Sequence, residues 1–281
     1  MTLTRSTAAA ILSVEEVGQL LVEPTLALAC ATDVATVIQT EQSRFRLPIV
    51  QADPSAGWVA EGAEIPLSDA TLSEDDVVFS KLAGLSVITS ELAQDSSPEA
   101  SEAVGQGLAR DMSRKLDAAF FGNVSAPAPT GLAGLTGVTE ITAGSVVNLD
   151  AFLEALSAAE ILGTHLTSFV ANPVDALVLA KLKQYGTAQA NAPLLQPDPA
   201  QPGVRMISGV PLRVSAGVTP GTIWGVPGDR AHIIVRTDAT VTADSSVFFT
   251  SDRVAVRGTM RCGFSFPHPA AIVKMSLTEG D

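Results

Sequence analysis

Basic residues, cysteines, aromatics and long apolar runs are all scarce in this 281-residue chain, and each scarcity closes off a class of function. Lys and Arg number 17 against 30 Asp and Glu, a net charge of -13, with no basic tail or arginine-rich block. Sequence-independent binding of nucleic acid depends on clustered Lys and Arg displacing counterions from phosphates, so the chain is not built to wrap DNA or RNA. The two cysteines, Cys30 and Cys262, stand far apart without companions at metal-ligand spacing. They exclude a disulfide framework and read as buried free thiols of a reducing compartment. His165, His232 and His268 fall in separate segments, none with a second ligand at metal spacing, and read as surface or turn residues. No stretch approaches the roughly 18 uninterrupted apolar residues of a membrane span. The opening MTLTRSTAAAILSVEEVGQLL reaches Glu15 and Glu16 too soon to form a secretory segment, so no signal peptide is expected.

Catalytic motifs are missing as well. There is no Walker loop, HExxH or EF-hand pattern. Gly263, Phe264, Ser265, Phe266 and Pro267 lack the closing glycine of a nucleophile elbow. Gly105 and Gly107 read GxGxxR inside a helical pattern, without the leading strand and third glycine of a dinucleotide fingerprint. Asp75 and Asp76 are adjacent in an extended segment, so they point to opposite faces and cannot share a substrate. The reading is a nonenzymatic α+β protein that needs no cofactor and no metal.

What is present is organised around residues 96–123. Ser97 and Pro98 supply an N-cap and a pre-set first helical residue, and Gly122 supplies the stop. Val104, Leu108, Met112, Leu116 and Phe120 recur every four residues, with Arg110, Asp111, Arg114 and Lys115 on the other side. The pattern predicts one long amphipathic helix whose stripe needs a sheet or other helices to cover it. At 46% hydrophobic residues the chain can bury one sizeable core or two modest ones. Before this helix, residues 1–43 read as an arm of short elements, and RFRLPIV as an edge strand with Pro48. After it, Asp150 is expected to cap a helix closing at Gly163, and Asn172 and Pro173 to open another running through Tyr185. From residue 204 onward the pattern is of short strands punctuated by Gly and Pro.

Two stretches stand out by charge. Residues 53–79 carry Asp53, Glu61, Glu64, Asp69, Glu74, Asp75 and Asp76 and no base, with Trp58 among few apolar residues. Such a stretch builds no core of its own; it reads either as a solvated loop or as a long hairpin projecting from the body. In DRVAVRGTMRCGF, period two puts Arg253, Arg257 and Arg261 on one face and Val254, Val256, Met260, Cys262 and Phe264 on the other. An acidic hairpin and an arginine face are complementary, and weak exposed pairs gain effect where many copies repeat them.

The order of these parts resembles the major capsid proteins of tailed bacteriophages, the Hong Kong 97-like fold. The resemblance rests on the acidic arm WVAEGAEIP at 58–66, the strand ending Ile88, Thr89, Ser90, Glu91, Leu92, and the helix ending Asp117, Ala118, Ala119, Phe120, Phe121, Gly122. It continues through the Gly131-Leu132 turn, the Asn172-Pro173 helix start, Gly209-Val210-Pro211-Leu212, and the Val256-Arg257 strand leading to Pro269-Ala270. It implies an N-terminal arm at 1–47, an extended β-hairpin loop at 48–90 and a peripheral domain with a long spine helix at 91–139. An axial domain at 140–245 and return strands to the peripheral domain at 246–281 complete it. It further implies self-assembly as pentamers and hexamers into an icosahedral shell, formed in the host bacterial cytoplasm, that encloses double-stranded DNA without sequence-specific binding. Portal, scaffolding or decoration proteins are the other partners it implies, and no membrane. Trp58, Glu61, Glu64, Asp69, Glu74, Asp75, Asp76, Arg253, Arg257 and Arg261 are the candidate intersubunit contacts. No lysine lies between Asp53 and Ser80, so the isopeptide cross-link of some relatives is not expected, and the short stretch before the hairpin leaves no room for a fused scaffolding segment. An encapsulin-type compartment shares this fold, and a hydrolase with a dispersed triad or a trimeric tail-tip protein would be competing classes.

Overall fold

A computed structural model describes residues 23–52, 54–62, 64–89, 98–144, 148–184, 193–197, 203–244, 246, 248 and 251–277. Two short helices, α1 (Glu23–Leu28) and α2 (Cys30–Val34), lead into strand β1 (Thr36–Thr40). Strands β2 (Phe45–Ala52) and β3 (Thr71–Val77) flank the acidic stretch, and β4 (Ser80–Thr89) precedes the long helix α3 (Pro98–Phe121). Then come β5 (Thr139–Gly144), helix α4 (Asp150–Ile161), β6 (Ser168–Ala171), helix α5 (Pro173–Lys181), β7 (Gln196–Pro197), β8 (Arg205–Ile207) and β9 (Val210–Val214). The chain ends with β10 (Thr222–Val226), β11 (His232–Asp244), β12 (Arg253–Ser265) and β13 (Val273–Leu277).

Helix α3 follows its sequence pattern. Met112, Leu116 and Phe120 are buried, Leu108 is half-buried, and Arg110, Asp111, Arg114 and Lys115 are exposed. The expected Ser97 cap and the side chain of Val104 lie outside the described residues. At its far end Gly122 donates its N–H to the Ala118 carbonyl at 3.1 Å and the chain turns away. It comes back at Gly131, where a Cβ would collide with the carbonyl oxygens of Ala119, Phe120 and Gly122. Only glycine lets a backbone close over the end of a helix this tightly.

Two sheets cover the helix stripe and build the two cores that the composition permits. The first has the order β1-β11-β12-β4, with β1 parallel to β11 and the other pairs antiparallel. Its inner face packs on α3, where Phe120 meets Phe121, Phe264 and Phe266 at centroid distances of 5.1, 5.2 and 5.4 Å. The second sheet has the order β5-β13-β10-β6-β9-β8-β7. One of its strands, β6, is buried along its whole length. Phe152 of α4 stacks edge-on against Phe169 of β6 at 5.1 Å, within a core that includes Leu179 of α5. The strands beyond residue 246 divide between the sheets, β12 in the first and β13 in the second, between β5 and β10.

Several local expectations need correction. Asp150 is the first residue of α4, not its cap; Leu149 holds the cap position, and Asn148 accepts the Asp150 N–H at 3.3 Å. Helix α5 starts as read, with Asn172 Oδ1 accepting the Val174 N–H and Pro173 behind it, but ends at Lys181. Leu182 turns extended so that its carbonyl can take the Leu194 N–H at 2.9 Å, which stops the helix before Tyr185, itself outside the described residues. β11 and β12 are 13 residues each, longer than the short strands expected after residue 204. β2 is an edge strand as Pro48 suggested, paired with β3 in a ribbon of two strands.

Candidate assembly surfaces

The acidic stretch is the outer part of this ribbon. Arg46 stands opposite Asp76 in the register, and its guanidinium meets Asp76 at 2.8 Å and Glu74 at 3.2 Å. Both pairs are largely exposed, so they contribute little to stability. Asp75 points the other way and accepts the Ser265 hydroxyl of β12 at 2.5 Å. Adjacent acids thus take opposite faces, as period two requires, and one anchors the ribbon to the body. Gly263 of β12 makes room for that docking, since a Cβ there would lie 2.6 Å from Val77 Cγ1.

Beyond the ribbon the two limbs stay together. Ser55 donates its N–H to Ser68 Oγ at 2.8 Å, and the tip turns at Glu61 and Gly62, where φ is +81°. Trp58 and Leu67 are fully exposed at 107% and 101%, and Ile65 is exposed at 76%. Glu61, Glu64 and Asp69 are exposed beside them. A scattered surface leucine is ordinary, but this arm bares an indole and two aliphatic side chains at once. Glu61, Glu64, Asp69, Glu74, Asp75 and Asp76 all lie on this arm; Asp53 lies outside the described residues.

The outer face of the first sheet carries the arginines. Register places Arg253 beside Thr89, Arg257 beside Leu85, and Arg261 beside Lys81. Arg253, Arg257, Leu85, Val87 and Lys81 are exposed, whereas Arg261 is half-buried and Ala255 is buried. Met260 and Cys262 face inward, as the alternation predicted. On the neighbouring strand Asp244 lies diagonally from Arg257. Hydrogen bonds from the Ser246 hydroxyl and N–H, at 2.6 and 2.7 Å, and then the Arg257 charge, hold its carboxyl below the usual range. Within one subunit the structure brings none of Glu61, Glu64 and Asp69 into an ion pair with Arg253, Arg257 or Arg261 among the described residues.

A carboxylate that sequence reasoning passed over holds the body together. Asp117, half-buried on α3, accepts the N–H groups of Cys30 and Ala31 at 3.1 and 2.9 Å and the Ser215 hydroxyl at 3.0 Å. Burial nevertheless pushes its carboxyl above the usual value. The same environment, burial first and then the charges of Asp117 and Asp33, pushes the Cys30 thiol up to about 12, and burial pushes Cys262 up to about 12. Both cysteines are free thiols; Cys262 is buried as read, whereas Cys30 is only partly buried. The signal was available: an acid in the last turns of a helix opposes the helix dipole and so needs donors from elsewhere.

Two histidines that looked unrelated also come together. His232 and His268 line one cavity of about 580 Å³ with Asp229, Arg230 and residues 47–50 of β2. Burial lowers the pKa of each. His165 is exposed. Among the described residues no cluster of His, Cys, Asp and Glu could hold a metal ion, and no helix is long and apolar enough to cross a membrane.

Comparison with known proteins places these surfaces in context. The model of the phage capsid family matches residues 19–277. No curated protein matches in sequence. Among solved structures, the capsid of a native GTA particle is 21% identical, with a TM-score of 0.70 and 90% of each chain covered. A structure from Microbacterium phage Oxtober96 is 18% identical with a TM-score of 0.69 over 89% of this chain and 91% of the other. One from Mycobacterium phage Bobi is 17% identical with a TM-score of 0.68 over 90% and 91%.

Proposed function

The chain belongs to the phage capsid family, and on that premise we propose that its copies build the shell by laying the acidic arm of one subunit over the arginine-bearing sheet face of the next. It is a major capsid protein of Hong Kong 97-like fold, a structural component of the virion that assembles with itself. The observation that carries the proposal is the full exposure of Trp58 and Leu67 on an arm flanked by Glu61, Glu64 and Asp69. The outward Arg253 and Arg257 are the opposite charges within the same molecule.

The parts then take the following roles. As bounds, 1–47 are the N-terminal arm, whose later part from α1 to β1 packs into the body, and 48–90 the extended hairpin with its root strand β4 in the first sheet. Residues 91–139 are the peripheral domain on the α3 spine, 140–245 the axial domain around capsomer centres with β11 reaching into the first sheet, and 246–281 the return strands, β12 to the first sheet and β13 to the second. Arg261 belongs to the receiving face, while Glu74, Asp75 and Asp76 set the angle of the arm through Arg46 and Ser265. Pentamers and hexamers close the shell by repeating these modest contacts, so each interface is weak while the assembly is stable. The container forms in the host bacterial cytoplasm and receives double-stranded DNA, with portal, scaffolding or decoration proteins as partners. A chain of net charge -13 does not condense that DNA, and an acidic wall keeps it from adhering.

Charge reversal on the arm tests this. E61K/E64K/D69K should leave the subunit folded and abolish assembly in sedimentation, and adding R253E/R257E should restore part of it. Shells from the arm variant indistinguishable from wild type would overturn the proposal.

A further inference from the structure

A second cavity, of about 420 Å³, opens where the edge strand β4 passes the C-terminal half of α3 and the loop that follows it. Buried Leu116 and Cys262 floor it, exposed Val124 and Pro127 wall it, and Lys81 and Lys115 stand exposed on its rim. It is an apolar slot with a cationic edge and no carboxylate in its lining. The arm has the complementary character: a fully exposed indole at Trp58, with Glu61 and Glu64 close by in the chain. The histidine cavity is a poorer receptor for an acidic arm, because Asp229 and the base of the subunit's own ribbon line it.

We infer that Trp58 of one copy seats in the slot formed by Leu116, Val124, Pro127 and Cys262 of a second copy, with Glu61 and Glu64 near the tip meeting Lys81 and Lys115 and Asp69, farther down the arm, left to the arginine face. This rests on the reading that copies of the chain assemble, and names the receptor and its anchor. Tryptophan is among the residues enriched at interface hot spots, and the lysines fix orientation through pairs that salt screens. Desolvating the indole supplies affinity, and the charges exclude wrong registers.

Two readouts separate this from the assembly reading itself. In oxidised shells carrying C262S, W58C/V124C should run as disulfide-linked multimers on a non-reducing denaturing gel, while W58C/V174C, whose second site is more exposed (60% against 44%) but on α5, should not. The chain has two tryptophans, and Trp224 is 1% exposed, so the emission that acrylamide quenches in the free subunit belongs to Trp58. In wild-type shells that quenchable component should be lost, and in K81E/K115E it should persist. Wild-type shells that keep it, or cross-linking no better at V124C than at V174C, would overturn the slot while leaving assembly intact. Wild-type protein that forms no shells overturns both.

Discussion

Asp117 Oδ1 accepts the Ala31 N–H at 2.9 Å and so joins the spine helix to a segment 86 residues earlier in the chain. Its other oxygen takes Cys30 N–H and the Ser215 hydroxyl, so one carboxylate ties the start of α2, the middle of the body and the loop beyond β9. Removing it strands two backbone donors in a half-buried site. Asp117→Ala should cost on the order of 3 kcal/mol, and Ser215→Ala about 1 kcal/mol, in urea unfolding of the subunit. Equal and small effects would mean that water replaces the carboxylate without loss.

The pH dependence of stability has two opposed sources. The Asp117 pKa is raised, so its contribution is present below the ordinary 3.8 and is lost as pH rises through the raised value. The His232 and His268 pKa values are lowered by burial, against Asp229 and with Arg230, so their contribution is present above 6.5 and is lost as pH falls through the lowered values. Moving from about pH 7.5 to about pH 5.5 should therefore lower the unfolding midpoint of the wild type, and His232→Asn should lose less over the same interval. A steeper acid loss in the variant would contradict this assignment.

Two glycines give a matched pair. Gly131→Ala forces a methyl into three carbonyl oxygens at the end of α3 and should cost about 3 kcal/mol or prevent folding. Gly203→Ala, where nothing lies within 4 Å, should stay within about 0.5 kcal/mol. Thermal melts of the two variants decide the comparison.

The arm has no lysine between Asp53 and Ser80, so nothing on it can form an isopeptide bond as the amine partner. Shells dissociated in denaturant should run as one band near 28.9 kDa. Covalent ladders would contradict a purely noncovalent arm.

The sequence made the helix and the arm legible because each has a local signature. The four-residue stripe from Leu108 to Phe120 is enforced by helical period alone, and the alternation from Arg253 to Cys262 by strand period. The acidic arm declared itself by what it could not bury. What remained hidden was long-range: Asp117 bonded to Ala31, Asp75 bonded to Ser265, and His232 and His268 lining one cavity, each bringing together residues remote in sequence. Local period also misjudged α5, since the pairing of Leu182 with Leu194 ends a helix that its own residues would have continued. Arg46 was the other omission, because its place opposite Asp76 depends on ribbon register and not on the composition of the acidic stretch.

Electron microscopy of the purified protein, at low and at moderate salt, tests the central claim most directly. The account predicts closed icosahedral shells, with E61K/E64K/D69K remaining as dispersed subunits under the same conditions. Wild-type protein that stays as single subunits at high concentration in both salts would contradict it.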